Sequence, residues 1–215
     1  MKIFKSIFPA LFFLALAGCN NSADSPETKD DTIIAEEEMV LPQVDEEFPE
    51  LYTYISRQDS SFSVEGFEGG ETEIKTDSSD QKLKEETLQT FLPYLVFNSD
   101  SSYAIDLVIY NYVPELRKGK LVLSEAGPDF EVALIDYRAK TRKPLLFFGT
   151  MGTIMDAKWA DNQTVLIAGA NEVSADSIRP VIWKYEVPTR AWSVYTYRNM
   201  VPAIANDYPK KWLNK

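Results

Sequence analysis

The segment 180–197, which reads PVIWKYEVPTRAWSVYTY, contains two apolar runs joined by a short polar turn. The first run extends from Pro180 to Val187 and the second from Ala191 to Tyr197, with Pro188-Thr189-Arg190 between them. Aromatic and β-branched residues favour strands, and short runs of them separated by turn residues are typical of antiparallel pairs. The segment therefore predicts two neighbouring antiparallel strands.

Similar runs precede this segment and are also separated by polar turns. They are Tyr94–Phe97, Tyr103–Tyr112, Lys120–Ser124, Phe130–Tyr137, Pro144–Phe148, Thr153–Trp159 and Thr164–Ala168. Regularly spaced strands of this kind predict a mainly β domain built from antiparallel sheets. The sequence is 45% hydrophobic and 13% aromatic, which is enough to form a sizeable core.

The strand pattern occurs twice. The stretch Leu134–Arg142 aligns with Ile182–Arg190 at a spacing of 48 residues. The turns that precede them, at Asp100 and Asn162, lie 62 residues apart, so the first copy carries about 14 more residues. We assign this excess to an excursion at Val113–Gly119. Each copy would form one four-stranded unit.

These units resemble the blades of β-propellers, particularly the TolB-like and WD-type blades. The resemblance covers repeats at about 91–148 and 153–197, and it rests on the aromatic turn Trp159-Ala160-Asp161-Asn162 and the strands Val165–Ala168 and Val181–Tyr185. Propellers usually close with four or more blades, so two cannot form a ring. The resemblance implies two blade-like antiparallel sheets packed together, and a ring would require oligomerisation.

One helix is predicted, at about residues 80–92. Ser79 or Asp80 could cap the first backbone amides of a helix running from Gln81 to Phe91. Its apolar residues fall on one face, and Pro93 ends it.

The segments around this region give weaker patterns. Phe48–Ile55 is interpreted as a short strand or sheet edge, and Gln58–Thr76 as a weak hairpin or a long loop. The tail Pro202–Lys215 is basic, and Tyr208 and Trp212 are expected to pack back onto the domain. Docking of this basic tail on the acidic N-terminal stretch is an alternative to a loose, solvated end.

The first 19 residues have the pattern of an export signal. Lys2 and Lys5 precede an apolar run, Ile7–Ala17, that is too short for a permanent membrane-spanning helix. The run ends in Leu16-Ala17-Gly18-Cys19, which contains the single cysteine of the chain and resembles the lipobox of bacterial lipoproteins. The alternatives are a free cysteine beside an ordinary signal and an uncleaved anchor helix.

The resemblance implies that residues 1–18 are removed as a signal peptide and that Cys19 is lipidated. In that family the thiol carries a diacylglyceryl group, and the new amino group commonly carries an acyl chain such as palmitate. Two or three acyl chains anchor a protein stably, whereas one chain binds a membrane only transiently. Asn20, the residue after the cysteine, is similar to the one found in family members destined for the outer membrane. The periplasmic face and the cell surface both remain open as its location.

The net charge of −11 is concentrated near the N-terminus. Residues 20–50 contain eleven acidic residues and one basic residue, a local charge of −10. Such a stretch buries too little apolar surface to offset its chain entropy. We therefore expect residues 19–47 to form a lipid-anchored, disordered tether and residues 48–215 to form the β-rich domain. A calcium or basic-partner site at Glu36-Glu37-Glu38 or Asp45-Glu46-Glu47 is the alternative.

The composition excludes several kinds of chemistry. The chain has no histidine, so the usual general base, the imidazole of a serine triad and the commonest metal ligand are missing. Lipidation of Cys19 would also remove thiol catalysis. The lack of an aromatic-interleaved basic surface argues against a nucleic-acid partner. We expect no cofactor.

Paired carboxylates remain as candidates for acid and base chemistry on a sugar. The candidates are Glu125, Asp129, Glu131 and Asp136. Gly127-Pro128-Asp129 is also a good turn, and strand alternation places Glu131 and Asp136 on opposite faces.

Two further patterns are interpreted as structural. Asn98, Asp100 and Ser102 alternate like the start of a calcium loop, but Tyr103 and Ile109 occupy the positions that need Gly and Glu. This stretch therefore predicts a hairpin turn. Three of the four tryptophans, Trp159, Trp183 and Trp192, could stack on sugars or peptides. Trp183 and Trp192 lie in strand patterns, so they are expected in the core.

The sequence favours a non-enzymatic, membrane-anchored bacterial envelope lipoprotein that serves as a binding or scaffold module. Its partner would be an envelope protein or a glycan. The alternatives are a carboxylate-based glycan hydrolase and an accessory subunit of an envelope machine.

Overall fold

The computed structural model describes residues 43–74, 79–203 and 208–213. The predicted signal peptide, Cys19 and the tether up to residue 42 lie outside the described residues. The fold is mainly β, with 48% strand and 19% helix, and its sheets are antiparallel, which confirms the predicted fold class. Within the described ranges, no helix is long and apolar enough to cross a membrane.

The structure contains three α-helices and thirteen strands in the described residues. The helices are α1 (Val44–Glu47), α2 (Pro49–Gln58) and α3 (Glu85–Phe91). The strands are β1 (Phe67–Ile74), β2 (Gln81–Lys82), β3 (Val96–Phe97), β4 (Tyr103–Asp106), β5 (Tyr112–Arg117), β6 (Lys120–Glu125), β7 (Phe130–Asp136), β8 (Thr141–Phe148), β9 (Gly152–Trp159), β10 (Thr164–Ser174), β11 (Ser177–Glu186), β12 (Ala191–Tyr197) and β13 (Val201–Pro202).

Two sheets share one strand plan. The smaller sheet has the order β2-β8-β7-β4-β3, and the larger has the order β1-β12-β11-β10-β9, with β13 also paired to β11. Each sheet is thus a four-stranded meander to which an earlier strand of the chain adds a fifth. The separate hairpin β5-β6 lies between β4 and β7 in the sequence. The predicted four-stranded units and the predicted excursion at 113–119 correspond to these features.

The structural spacing of the two units differs from the spacing in the sequence alignment. Lys140 and Arg190 close the corresponding turns with positive φ angles of 51° and 60°, and they lie 50 residues apart rather than 48. Asp100 and Asp161 each accept a hydrogen bond from the backbone N–H two residues later, at 2.9 and 2.6 Å, and lie 61 residues apart rather than 62. The sequence alignment matched residues of similar type in the two units, whereas in the structure the geometry of the turns sets which residues correspond.

Two hydrophobic clusters contact the larger sheet because strand alternation sends its side chains to both faces. Val165 and Ile167 of β10 belong to a cluster that also includes residues of the smaller sheet and of α3. Leu166 and Ala168 belong to a second cluster, with residues of α1 and α2. The sheets are therefore packed together, as predicted. Trp183 and Trp192 are buried in the first of these clusters, which confirms their predicted core positions.

The prediction of a strand at Phe48–Ile55 was wrong, because this segment belongs mainly to α2. Pro49 begins that helix, a position where proline needs no hydrogen-bond partner. Leu51 and Ile55 are buried one helical turn apart. Val44 in α1 is only 1% exposed. Residues 44–47, which the sequence analysis assigned to the end of the tether, form α1 in the structure.

The predicted helix is present but shorter. It begins at Glu85, since Gln81 and Lys82 pair with β8 instead. Its N-cap residue is Lys84, which makes no side-chain cap, so the predicted caps at Ser79 and Asp80 were wrong. A 3-10 turn that contains Pro93 follows α3.

The segments on either side of the sheets are also more ordered than predicted. Residues 67–74 form the strand β1 along β12 instead of a loop or weak hairpin. At the other end, Tyr208 and Trp212 are buried against the domain, as expected. Lys211 of the same segment forms an ion pair with Glu50 of α2.

Candidate functional site

A cleft of about 420 Å³ lies beside the base of the hairpin β5-β6. Tyr112 and Glu125 line it from the hairpin base, and residues 127–130 line it from the loop before β7 and the first residue of that strand. The other side is formed by the β8–β9 turn, the start of β9, and single residues from β10 and the C-terminal segment: Thr150, Gly152, Thr153, Ile154, Glu172 and Lys210. The site thus combines five separate parts of the chain.

Asn111, which also lines the cleft, fixes the hairpin base against β7. Its side-chain amide donates to the carbonyl oxygens of Leu107 and Glu131, at 2.9 and 2.8 Å. Its Oδ1 accepts a hydrogen bond from the backbone N–H of Glu131, at 2.7 Å. Because all of these groups are buried, the amide replaces contacts with water that the backbone would otherwise lose.

A buried ion triad, formed by Arg142, Asp106 and Glu131, stabilises the backbone that leads to the hairpin base. The Nε of Arg142 donates to Oδ2 of Asp106 at 2.6 Å, and another guanidinium nitrogen contacts Glu131. Burial lowers the pKa of Arg142, but the two carboxylates outweigh that effect and hold its pKa above the ordinary value. Oδ1 of Asp106 accepts hydrogen bonds from the N–H groups of Val108 and Ile109, at 2.8 and 2.9 Å. The triad therefore fixes the loop that leads into the hairpin.

Lys210 provides the cationic group of the cleft. Its Nζ donates to Oε1 of Glu125 at 2.6 Å and lies 5.9 Å from the ring centroid of Tyr112. Burial lowers the pKa of Lys210, but its interactions with Glu125 and Tyr112 outweigh that effect, so the pKa lies above the ordinary 10.5. Burial also raises the pKa of Tyr112 above 10.0. Lys210 is thus cationic at neutral pH and neutralises Glu125.

Asp129 and Glu172 are the remaining acidic residues of the lining. Among the described residues, neither carboxylate has an ion pair, and Asp129 is half-buried whereas Glu172 is exposed. With Glu125 neutralised by Lys210, these two groups leave the cleft with a net negative charge. The hydroxyl groups of Thr150 and Thr153 add hydrogen-bonding capacity.

The four carboxylates predicted as acid or base candidates have different surroundings. Glu125 and Asp129 line the cleft together. Glu131 is buried in the ion triad. Asp136 accepts a hydrogen bond from the backbone N–H of Ala139 at 2.8 Å and so stabilises the turn after β7. The structure therefore brings two of the four together and assigns the other two to contacts within the fold.

The stretch from Asn98 to Ser102 forms a hairpin turn between β3 and β4, as predicted. The backbone N–H of Ser102 donates to Asp100. The side-chain and backbone hydrogen bonds from Ser102 lower the pKa of Asp100. Asn98 donates to the backbone oxygen of Asn162 at 2.9 Å, so the corresponding turns of the two units contact each other. Over residues 43–74, 79–203 and 208–213, no group of three or more acidic, histidine or cysteine side chains is arranged to hold a metal ion.

Sequence reasoning missed two charged residues of the cleft, Glu172 and Lys210. Glu172 lies in the part of β10 beyond Ala168, where the apolar pattern stops but pairing with β11 continues. Lys210 belongs to the C-terminal tail, and only its nearness to the predicted packing residues Tyr208 and Trp212 indicated that it would contact the domain.

The chain was compared with known proteins in three ways. No protein-family model matches it. No curated protein matches it, and no solved structure matches it.

Proposed function

We propose that the chain is a membrane-anchored bacterial envelope lipoprotein whose β domain is a non-enzymatic binding or scaffold module. The anchor is supported by the sequence Leu16-Ala17-Gly18-Cys19 after a short apolar run, and by the absence of any second cysteine. Lipidation at Cys19 would place the domain at the outer membrane, on the periplasmic face or the cell surface.

The observation that carries the binding role is the pairing of Glu125 with Lys210 in the cleft. A sugar hydrolase needs one carboxylic acid that can donate a proton and one carboxylate that acts as base or nucleophile. The ammonium group of Lys210 already occupies Oε1 of Glu125, so this oxygen is not free to contact a glycosidic oxygen while the ion pair is formed. Glu131 pairs with Arg142, and Asp136 accepts a hydrogen bond in the turn after β7, so both stabilise the fold. These assignments favour recognition over bond cleavage.

The cleft is suited to a polar ligand. Its volume of about 420 Å³ is within the roughly 300–1,000 Å³ that is usual for small-molecule sites. Carboxylates, an ammonium group and hydroxyls line it, so a ligand would be held mainly by hydrogen bonds. An envelope glycan or a polar segment of an envelope protein has this chemistry.

Co-purification tests the proposal on the full-length, lipidated protein. Wild type and the variant Asp129→Asn/Glu172→Gln would be extracted in mild detergent, and bound proteins and glycans identified by mass spectrometry. We expect a protein or glycan that is retained by the wild type and reduced at least fivefold by the variant. Asp80→Asn/Glu86→Gln changes two exposed carboxylates by the same charge and serves as the matched control.

The second candidate, a glycan hydrolase, is favoured by one observation, namely that Glu125 and Asp129 line the same cleft. It predicts that the wild type shortens envelope glycans and that Glu125→Gln or Asp129→Asn abolishes the cleavage. Cleavage with that dependence would contradict the binding proposal. Retention of an intact ligand by the wild type, with no shortened glycan produced by any of the three proteins, would exclude the hydrolase.

A further inference from the structure

The hairpin β5-β6 forms a separate arm of the molecule. In the described part of the chain its two strands pair only with each other. Leu116 and Leu121 are directly opposite each other near its tip, and they are 79% and 38% exposed. An isolated two-stranded ribbon buries little apolar surface by itself. The two leucines therefore form an apolar pair that the fold leaves largely uncovered.

The tip between these leucines is basic. Lys118 and Gly119 form the turn, with φ angles of 52° and 77°, and Arg117 lies opposite Lys120. Like charges in directly opposed positions destabilise a sheet pair. Glu115 pairs with Arg117 at 2.7 Å, whereas Lys118 and Lys120 have no acidic partner among the residues that the structure describes. An external anion would offset this local repulsion.

This basic tip contrasts with the rest of the protein, since the whole chain has a net charge of −11. A surface that complements the tip must supply negative charge and an apolar layer at the same place. A bilayer of anionic lipids has both, because phosphate groups lie directly above the acyl chains. Lysine side chains can extend to the headgroups while neighbouring apolar side chains enter the interface. A free phosphate would leave the leucines exposed.

We propose that residues 116–121, here called the hairpin tip, dock on an anionic phospholipid surface. Docking would add a second membrane contact that does not depend on acylation of Cys19. Since Leu116 and Leu121 flank the turn, they would enter the interface together, with Lys118 and Lys120 at the headgroups. The attraction is local because charges separated by more than about 8 Å are screened at physiological ionic strength.

Vesicle sedimentation tests this proposal with residues 20–215, which is the mature chain without Cys19 and therefore carries no acyl group. Vesicles would contain phosphatidylcholine alone or phosphatidylcholine with phosphatidylglycerol. We expect binding only to the anionic vesicles, with a loss of at least fivefold on raising the salt from 0.1 to 0.5 M. Lys118→Glu/Lys120→Glu should weaken binding at least tenfold. Leu116→Ser/Leu121→Ser should weaken it several-fold.

Two controls separate docking by the tip from other effects. Lys84→Glu/Arg138→Glu makes the same charge change at exposed positions elsewhere and should bind like the wild type. Unchanged melting temperatures would show that the variants are folded. Equal binding to neutral vesicles, or an equal loss in the control variant, would overturn the proposal. Binding that appears only after Glu36→Gln/Glu37→Gln/Glu38→Gln would also overturn it, because the chain's own acidic segment would then be the occupant.

Discussion

Arg142 on β8 reaches across the middle strand β7 to Asp106 on β4, and their Nε and Oδ2 atoms lie 2.6 Å apart. The register partner of Asp106 on β7 is Ala133, whose small side chain leaves room for this contact. Both charged side chains are almost fully buried. Together with Glu131 of β7, this ion pair joins three strands of the smaller sheet and orients the loop that carries the hairpin.

Replacement of Arg142 should destabilise the domain strongly. In Arg142→Met, Asp106 and Glu131 would remain buried without their cation, and breaking a buried pair in this way costs about 3–5 kcal/mol. Urea denaturation at pH 7 measures the change in the free energy of unfolding. Arg117→Met is the matched control, because its pair with Glu115 is exposed and should contribute less than about 1 kcal/mol. Equal effects of the two replacements would contradict the structural role of the triad.

Asp156 should make the domain less stable as the pH rises. Burial raises its pKa above the ordinary 3.8, although the N–H of Ala157 and the charge of Lys211 oppose the shift. The folded state therefore binds this proton more tightly than the unfolded chain does. Stability from this group is present below pH 3.8 and is lost as the pH rises through the folded-state pKa.

Asp156→Asn should accordingly stabilise the protein at pH 7 and have little effect below pH 3.8. Urea denaturation at several pH values checks this expectation. A variant that is less stable than the wild type at pH 7 would show that the ionised carboxylate makes a net favourable contact.

The N-terminal boundary of the folded domain should lie before Val44. Deletion of residues 22–42 should change the melting temperature by no more than about 2 °C, because this acidic segment contains no aromatic residue. Deletion of residues 22–45 also removes Val44, which is buried against α2 and its neighbours, and should lower the melting temperature markedly. Calorimetry of the two variants would refute this boundary if the shorter deletion were as damaging as the longer one.

Cys19→Ala should move the protein from the membrane fraction to the soluble fraction after cell lysis. The reason is that the proposed thioether and the acylated amino terminus both require this cysteine. Fractionation should be performed in 0.5 M salt, which would weaken any electrostatic contact of the hairpin tip with lipids. A variant that still sediments with membranes under these conditions would count against a lipid anchor at this residue.

Much of the fold could be predicted from the sequence because strand alternation is a local signal. The segment Ala191–Tyr197 has the predicted bounds, and the two meanders follow from repeated runs of the same type. Phe48–Ile55 was misassigned because its aromatic and β-branched residues favour strands, whereas burial of Leu51 and Ile55 against the larger sheet selects a helix.

The cleft was harder to predict from the sequence because tertiary packing brings its residues together. Glu125 and Asp129 were recognised as candidates on chemical grounds, and they are close in the sequence. Lys210 lies 85 residues from its partner Glu125, and no local pattern indicates that contact. The same is true of the ion triad, since Arg142 and Asp106 are neighbours only after β4, β7 and β8 have paired.

Intact mass spectrometry of the protein purified from its native membrane tests the central claim most directly. A chain that begins at Cys19 and carries the added mass of a diacylglyceryl group, with or without an acylated amino terminus, is the result that the account predicts. A chain that begins at Met1 with an unmodified thiol at Cys19 would contradict it.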